Sequence, residues 1–294
     1  MFKKDNGAFI LTRRSKVEKS VYTFVFIIFV LYSLSLLFPV VWMIVSSFKE
    51  ATEYTMGNAF DLPKEWHFDN YIKAFELLNV GETNFFGMIF NSLWYTSIVT
   101  SLGAFVPAVT GYVMSKYKFP CRNIIFTIAI TSMVIPIVGN MASYMKIIGI
   151  LGLFDNPLYA VITSLGGFGG TFLVYYGFFK SVSWAYAEAA TIDGADSYSI
   201  FFRIMLPQAV PIMLTYAITG AIVNWNEYMT MILYLPSFPT LASGLFEYQS
   251  NAVRSVNYPV YYAGLLISMV LTIILFASFS NKIMTSLSIG GLKG

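Results

Sequence analysis

The chain has 294 residues, of which 57% are apolar, 18% aromatic and 11% charged, and its mean hydropathy is +0.67. Soluble domains carry roughly 25% charged residues, so the composition excludes an ordinary soluble protein. Because the formal net charge is only +3, we expect no nucleic acid among the partners.

Residues that carry catalytic or metal chemistry are scarce. The single cysteine, Cys121, excludes an intramolecular disulfide and a cysteine-rich metal site. The single histidine, His67, leaves little material for histidine-based catalysis, and the sequence has no phosphate-binding loop. We therefore predict that the chain is not an enzyme, with no catalytic residues, no metal ligands and no cofactor-binding residues.

Long apolar stretches recur at about the 20-residue length that crosses a bilayer as a helix. They predict an all-α, polytopic membrane protein, since helices satisfy their own backbone hydrogen bonds in lipid. The first stretch is too long for the apolar part of a signal peptide and lacks a cleavage site, so we expect it to be retained. The six predicted transmembrane helices are 21–47, 87–115, 124–148, 158–179, 209–232 and 258–281.

The distribution of lysine and arginine predicts the orientation. With the N-terminus in the cytoplasm, 13 of the 18 basic residues lie on the cytoplasmic side, as the positive-inside rule requires. Both termini are then cytoplasmic, as an N-terminal tail (1–20) and a C-terminal tail (282–294), with the transmembrane region at 21–281. The predicted outer loops are 48–86, 149–157 and 233–257.

Two of the outer loops contain more than a simple connection. In the first, Asn70–Leu78 can form a short amphipathic helix, which either lies on the bilayer surface or presents a partner surface. The third, 233–257, holds two prolines and an aromatic, acidic segment.

Helix-disturbing residues occur inside several spans. Gly166 and Gly170 stand four residues apart in the fourth span, a spacing that predicts close packing of two helices. Prolines are tolerated in spans because neighbouring groups satisfy the freed carbonyls, and they indicate kinks that shape packing. The prolines of this kind are Pro39, Pro107, Pro136 and Pro211.

Polar side chains within the spans suggest a solute path. Within the six predicted spans, the ionisable residues are almost confined to Lys146 and Glu227. An ion-coupled transporter needs more of them, so the energy for transport must come from elsewhere. The run at the end of the fifth span suits hydroxyl-rich ligands, although an interfacial aromatic belt explains it equally. The candidate path residues are Asn140, Asn224, Trp225, Asn226, Glu227 and Tyr228.

The cytoplasmic segment 181–207, between the fourth and fifth spans, predicts two short helices. The first ends at Ile192, since Gly194 can adopt the left-handed conformation that closes a helix. Asp196 or Ser197 can cap the second helix, and Pro207 is expected to stop it. Such a small unit cannot fold alone, so it either contacts a partner or acts as a structural elbow.

Its residues resemble a family motif. Glu188-Ala189-Ala190, Gly194 and Ile204-Met205-Leu206-Pro207 match E-A-A-x-x-x-G, nine residues, I-x-L-P, which is typical of permease subunits of bacterial ABC importers. The fuller pattern is similar to the carbohydrate-uptake branch, and Gly290–Gly294 resembles the end of the second, six-span permease of maltose-type systems. Ser286–Ile289 departs from the Gly-Leu-Thr-rich run usual there.

The resemblance implies a type I ABC importer permease in the bacterial cytoplasmic membrane. Its expected partners are a companion permease, two ATPase subunits that bind ATP and Mg, an extracytoplasmic sugar-binding protein and membrane lipid. The first helix of the motif would seat in the ATPase as a coupling helix, with Glu188 paired to a basic ATPase residue. The coupling residues so implied are Glu188, Ala189, Ala190, Ile192, Asp193, Gly194, Ala195 and Tyr198.

The expected function is therefore the transmembrane subunit of an ATP-driven sugar or oligosaccharide importer. A permease for another solute, such as a polyamine or phosphate, is the alternative because the motif is shared across importers. A secondary transporter or an enzyme of lipid chemistry fits poorly, because intramembrane charges and catalytic groups are scarce.

Overall fold

A computed structural model describes residues 2–5, 8–11, 16–135, 138–250 and 256–290. Some predictions fall on residues outside these ranges, namely Pro136, part of the basic N-terminal tail, part of the third outer loop and the last four residues of the C-terminal motif. The elements below refer to the described residues.

The N-terminus departs from the all-α prediction. Two strands, β1 (Phe2–Asp5) and β2 (Ala8–Leu11), pair antiparallel with Phe2 opposite Leu11. From Lys16 onward the described chain folds into helices joined by turns, which confirms the helical class for the main body.

The helices of the described chain vary widely in length. Within it, three are long and apolar enough to cross a membrane: Val17–Ser47, Phe85–Lys116 and Ser197–Trp225. The helices are α1 (Lys16–Ser47), α2 (Ala51–Met56), α3 (Asp69–Leu77), α4 (Phe85–Lys116), α5 (Arg122–Val134), α6 (Met141–Ile150), α7 (Leu158–Ser164), α8 (Gly170–Ser181), α9 (Ala185–Ile192), α10 (Ser197–Ile200), α11 (Leu206–Trp225), α12 (Met229–Tyr234), α13 (Leu241–Ser250) and α14 (Tyr258–Gly290).

The third and fourth predicted spans are not continuous helices. The third is divided into α5 and α6, and Ile135, which precedes Pro136, adopts the extended conformation expected before a proline. The fourth is divided into α7 and α8 by a glycine-rich turn at 165–169. Glycine loses more conformational entropy than other residues when it is fixed in a helix, so a run of glycines favours an interruption of the helix.

The glycine prediction in the fourth span is wrong in its geometry. Gly166 lies in the turn and Gly170 begins α8, so their spacing no longer places them on one helical face. The close approach is at Gly167 instead, where an added Cβ would collide with the side chain of Thr110. The Thr110 hydroxyl donates to the Gly167 carbonyl (2.7 Å), which satisfies an acceptor that the interruption frees.

α4 is the central helix of the bundle, because α8 and α11 pack against it more extensively than any other helices of the described chain pack together. A Cβ added at Gly111 would lie 2.7 Å from the Cβ of Tyr175 and 2.9 Å from the Tyr176 nitrogen. The backbones of α4 and α8 therefore touch at this glycine, as small residues allow between membrane helices.

The end of the bundle that holds the predicted outer loops is a folded platform, which we call the outer platform. Lys49 is fully buried and donates to the carbonyls of Asn58 and Ala59, both at 3.2 Å. The amide of Asn70, at the start of α3, donates to the carbonyls of Ser47, the last residue of α1, and of Lys49 just beyond it. The first outer loop is thus fixed to the end of α1, and the predicted short helix near 70–78 is confirmed as α3.

The third outer loop is also largely folded. Leu241 and Leu245 of α13 are buried in a cluster with α3, α4 and α14. The carboxylate of Asp155, in the second outer loop, accepts bonds from the amide (2.9 Å) and hydroxyl (2.7 Å) of Ser237. Within α13 the exposed side chains begin at Phe246, and earlier in the same loop Pro236 and Ser237 are exposed.

The close approach of α4 and α8 yields a matched pair of substitutions. We expect Gly111→Ala to cost about 1–3 kcal/mol, since the added methyl group forces two backbones apart. Gly103→Ala lies on the same helix with nothing within 4 Å of the added Cβ, so better helix propensity should raise stability by about 0.5–1 kcal/mol. Thermal unfolding of the purified protein in detergent measures both, and equal shifts would contradict this packing.

Candidate functional site

The turn after α9, in the predicted cytoplasmic segment, is closed by hydrogen bonds of its backbone. Gly194 has φ of +83°, and its amide donates to the Thr191 carbonyl at 3.0 Å. The Ala195 amide donates to the Ala190 carbonyl at 2.9 Å. These are the two bonds of the Schellman motif, in which glycine is preferred because a Cβ is strained at positive φ. The predicted helix end at Gly194 is confirmed.

The next helix is capped by Asp196 rather than Ser197. The Oδ1 of Asp196 accepts from the amide of Ser199 at 3.0 Å, which satisfies a backbone donor in the first turn of α10. Hydrogen bonding by Ser199 to the charged carboxylate lowers the pKa of Asp196 below its ordinary value.

The prediction that Pro207 stops this helix is wrong. α10 continues through a π-helical turn (Phe201–Met205) into α11, so that Ser197–Trp225 is one helix. Pro207 lies in the first turn of α11, directly after the π turn. A proline is tolerated in the first turn of a helix, so its missing N–H does not end the helix here. α10 is therefore continuous with the fifth predicted span.

One face of α9 is buried against the membrane helices. Ala187 and Ala190 belong to a core cluster with Tyr112 of α4 and Phe179 of α8. The ammonium group of Lys116 donates to the carbonyl of Val182, at the end of α8, and lies 5.9 Å from the ring of Trp184. These contacts fix the position of α9 at the inner ends of α4 and α8.

The other face of α9 and the turn are exposed. Ile192 is 87% exposed and Tyr198 is 77% exposed, although both are large apolar side chains. The eight predicted coupling residues therefore divide into three groups. Glu188, Ala189, Ile192, Asp193, Gly194 and Tyr198 are exposed, Ala195 is half-buried and Ala190 is buried. We call this exposed set the inner patch; it includes two large apolar side chains, Ile192 and Tyr198, and two carboxylates, Glu188 and Asp193.

A cavity of about 260 Å³ lies between α4 and α11, with one contribution from α14. α4 lines it with a row of hydroxyl groups, and α11 lines it mainly with aliphatic side chains. The ring of Trp225 closes one end and is only 2% exposed. The hydroxyl groups on α4 are those of Thr96, Ser97, Thr100 and Ser101.

The predicted path residues near Trp225 do not converge on one surface, because α11 ends there. The Asn224 amide donates to the Thr100 hydroxyl (3.1 Å), and the Asn226 amide donates to the Ile222 carbonyl of its own helix (2.8 Å). In the next turn the Glu227 carboxylate accepts from the Thr230 amide (2.9 Å), and the Tyr228 ring stacks on Phe246 at 4.5 Å.

The sixth path residue lies elsewhere, since Asn140 is exposed at the start of α6. Trp225 is therefore the predicted path residue that lines the cavity. The sequence argument missed the hydroxyl row of α4, although the repeat of Thr96 at Thr100 and of Ser97 at Ser101 is the four-residue spacing of one helical face.

Comparison with known proteins identifies the family. Residues 103–285 match the family of binding-protein-dependent transport system inner membrane components. The chain belongs to this family. It is a multi-pass permease of the bacterial plasma membrane, and the resemblance to importer permeases is confirmed.

Two relatives and one solved structure illustrate the likeness. The chain is 29% identical to the probable ABC transporter permease protein YurM of Bacillus subtilis, over 94% of this chain and 89% of YurM. It is 26% identical to the diacetylchitobiose uptake system permease protein NgcG of Streptomyces coelicolor, over 90% of this chain and 86% of NgcG. A crystal structure of a bacterial ABC transporter that imports the acidic polysaccharide alginate shares the fold, with a TM-score of 0.75 at 21% identity over 92% of this chain and 99% of that one.

The cap at Asp196 can be tested by amide exchange. We expect Asp196→Ala to speed hydrogen exchange in residues 197–200, because the first turn of α10 loses its side-chain acceptor. A depressed pKa in the folded protein means that the cap is present at neutral pH and is lost as pH falls through that pKa. Acidification of the wild type should therefore lower the protection factors of the same residues, once exchange rates are corrected for the intrinsic effect of pH. Asp193→Ala, at the end of α9, is the control, and equal protection in both variants would contradict the cap.

Proposed function

We propose that the chain is the transmembrane permease subunit of an ATP-driven importer of sugars or oligosaccharides. Membership of the binding-protein-dependent family supports the transport role. The carbohydrate solute is supported by the similarity to a diacetylchitobiose uptake permease and by the Asp193-Gly194-Ala195 form of the motif. In this proposal the chain crosses the membrane six times, with both termini in the cytoplasm. The pair α5 and α6 makes one interrupted crossing, and the pair α7 and α8 makes another.

The observation that carries the coupling proposal is the exposure of Ile192 and Tyr198 beside a closed turn. A large apolar side chain left in water on a fixed backbone is typical of a surface that a partner covers. The partner we propose is an ATPase subunit, with Glu188 paired to one of its basic residues. Because α10 and α11 are one helix, movement of the ATPase shifts α11 without an intervening hinge.

The remaining partners occupy other surfaces. Two ATPase subunits bind ATP and Mg, so the chain itself needs no cofactor and performs no catalytic step. A companion permease completes the translocation path, and an extracytoplasmic sugar-binding protein docks on the outer platform near the exposed end of α13. We keep Asn140, Asn224, Trp225, Asn226, Glu227 and Tyr228 as proposed path residues, with Trp225 supported by the cavity.

The inner patch can be tested by charge reversal. We expect Glu188→Lys to reduce co-purification of the ATPase by about tenfold, because a charge-assisted contact is worth about 1.5–3 kcal/mol and the new lysine repels a basic partner. Glu82→Lys makes the same change in the first outer loop and should retain wild-type association. Undiminished co-purification with Glu188→Lys would refute the contact.

The solute class is tested with the whole complex. Proteoliposomes that contain this chain, its companion permease and the ATPase should take up oligosaccharides only when ATP and the loaded binding protein are present. Uptake of phosphate or a polyamine, with no uptake of any saccharide, would instead establish the non-sugar importer.

A further inference from the structure

The cavity between α4 and α11 lies between two helices of membrane-spanning length. Its lining on α4 extends from Leu93 to Ser101, eight residues or about 12 Å along the helix. This stretch lies in the first half of the 32-residue α4 and ends at its middle. Because both helices are long and apolar enough to cross a membrane, a solute bound between them lies within the spanning region.

Two buried polar atoms at the cavity have no hydrogen-bond partner among the described residues. They are the hydroxyl of Thr96, whose residue is 6% exposed, and the indole N–H of Trp225. A buried polar group without a partner costs free energy, so such groups indicate a missing water or ligand. Both belong to residues that line one cavity, one on α4 and one on α11. The two atoms are closed off from its open volume, so a ligand in the cavity reaches them only after a movement of these side chains.

The chemistry of the lining defines that ligand. α4 offers hydroxyl groups that donate and accept, whereas α11 offers Ala217, Ala221 and Ile218 as an apolar wall. None of the side chains that line the cavity is charged. A ring with hydroxyl groups at its edge and C–H bonds on its faces meets both walls, but a carboxylate or ammonium group would lose its hydration without gaining a counter-charge.

The cavity opens on one side. Ser97 and Ser101 are exposed, whereas Thr96 is buried, so the hydroxyl row leads from the surface of α4 inward. A solute can therefore enter at the two serines and reach Thr96 and Trp225 with small side-chain movements. The volume of about 260 Å³ accommodates one sugar ring, not a whole oligosaccharide.

We propose that this cavity is a subsite for one uncharged sugar ring on this chain itself, with Thr96, Ser97 and Ser101 as its hydroxyl-recognising residues and Trp225 at its end. The inference rests on the proposed function, because it assigns the solute contacts of that importer. It also narrows the solute class to neutral saccharides, in contrast to the acidic polysaccharide of the alginate importer that shares the fold.

The test uses the complete reconstituted complex and a panel of radiolabelled neutral oligosaccharides, with oligouronates alongside. We expect two variants to raise the KM for uptake of a neutral oligosaccharide about tenfold: Thr96→Val, and the double variant Ser97→Ala with Ser101→Ala. Such a change corresponds to the loss of one or two hydrogen bonds to the solute.

Thr96→Val also separates recognition from folding. It removes an unpaired buried hydroxyl, so the thermal midpoint should not fall, and a higher KM then reports a lost ligand contact. Thr219→Val is the control on α11, because its hydroxyl is exposed and bonded to the Thr215 carbonyl of its own helix (2.9 Å). It should leave KM unchanged.

The outcomes separate the two proposals. If the wild type imports no saccharide, the proposed function fails. If the wild type imports a neutral saccharide but KM stays within twofold in all the cavity variants, only the subsite is refuted. Preferential uptake of oligouronates would likewise overturn the subsite. So would loss of the companion permease from the double serine variant without a change in KM, because it would show that a partner helix fills the cavity.

Discussion

The structure depends on one constraint, that backbone groups freed by helix interruptions must find partners inside the membrane. α4 supplies these partners at its inner half. Thr110 donates to the Gly167 carbonyl in the turn between α7 and α8, and Lys116 donates to the Val182 carbonyl where α8 ends. The same helix therefore stabilises the divided crossing and fixes the backbone that leads into α9. An interruption in the fourth predicted span is tolerated because α4 lies beside it.

The outer half of α4 serves the third outer loop in the same way. The amide of Asn91 donates to the Pro239 carbonyl (3.0 Å), and the hydroxyl of Ser92 accepts from the Leu241 amide (2.9 Å). Between these ends, the hydroxyl row of α4 faces the cavity against α11. α4 thus connects the outer platform, the cavity and the base of the inner patch. α11 is continuous with α10 and passes the same cavity.

Sequence reasoning predicted the elements with local chemical causes. The helix end at Gly194 follows from its freedom at positive φ, and the cap at Asp196 follows from a side chain that accepts a backbone bond. It failed where the outcome depended on a neighbouring helix. The role of Gly167 requires knowledge of Thr110 on α4, and continuation through Pro207 requires a π turn that hydropathy does not reveal. The cavity was missed because its two walls lie more than 100 residues apart, although Trp225 was among the predicted path residues.

The central claim is that the inner patch contacts an ATPase and transmits its movement to α11. Site-directed cross-linking in membranes tests this claim directly. The Cys121→Ser variant removes the native thiol, and Ile192→Cys then carries a reagent that links its thiol to a nearby amine. The account predicts a covalent adduct between this chain and the ATPase subunit, with no such adduct from Ile72→Cys on the exposed face of α3. An absent ATPase adduct at position 192, or an equal one at position 72, would contradict the account.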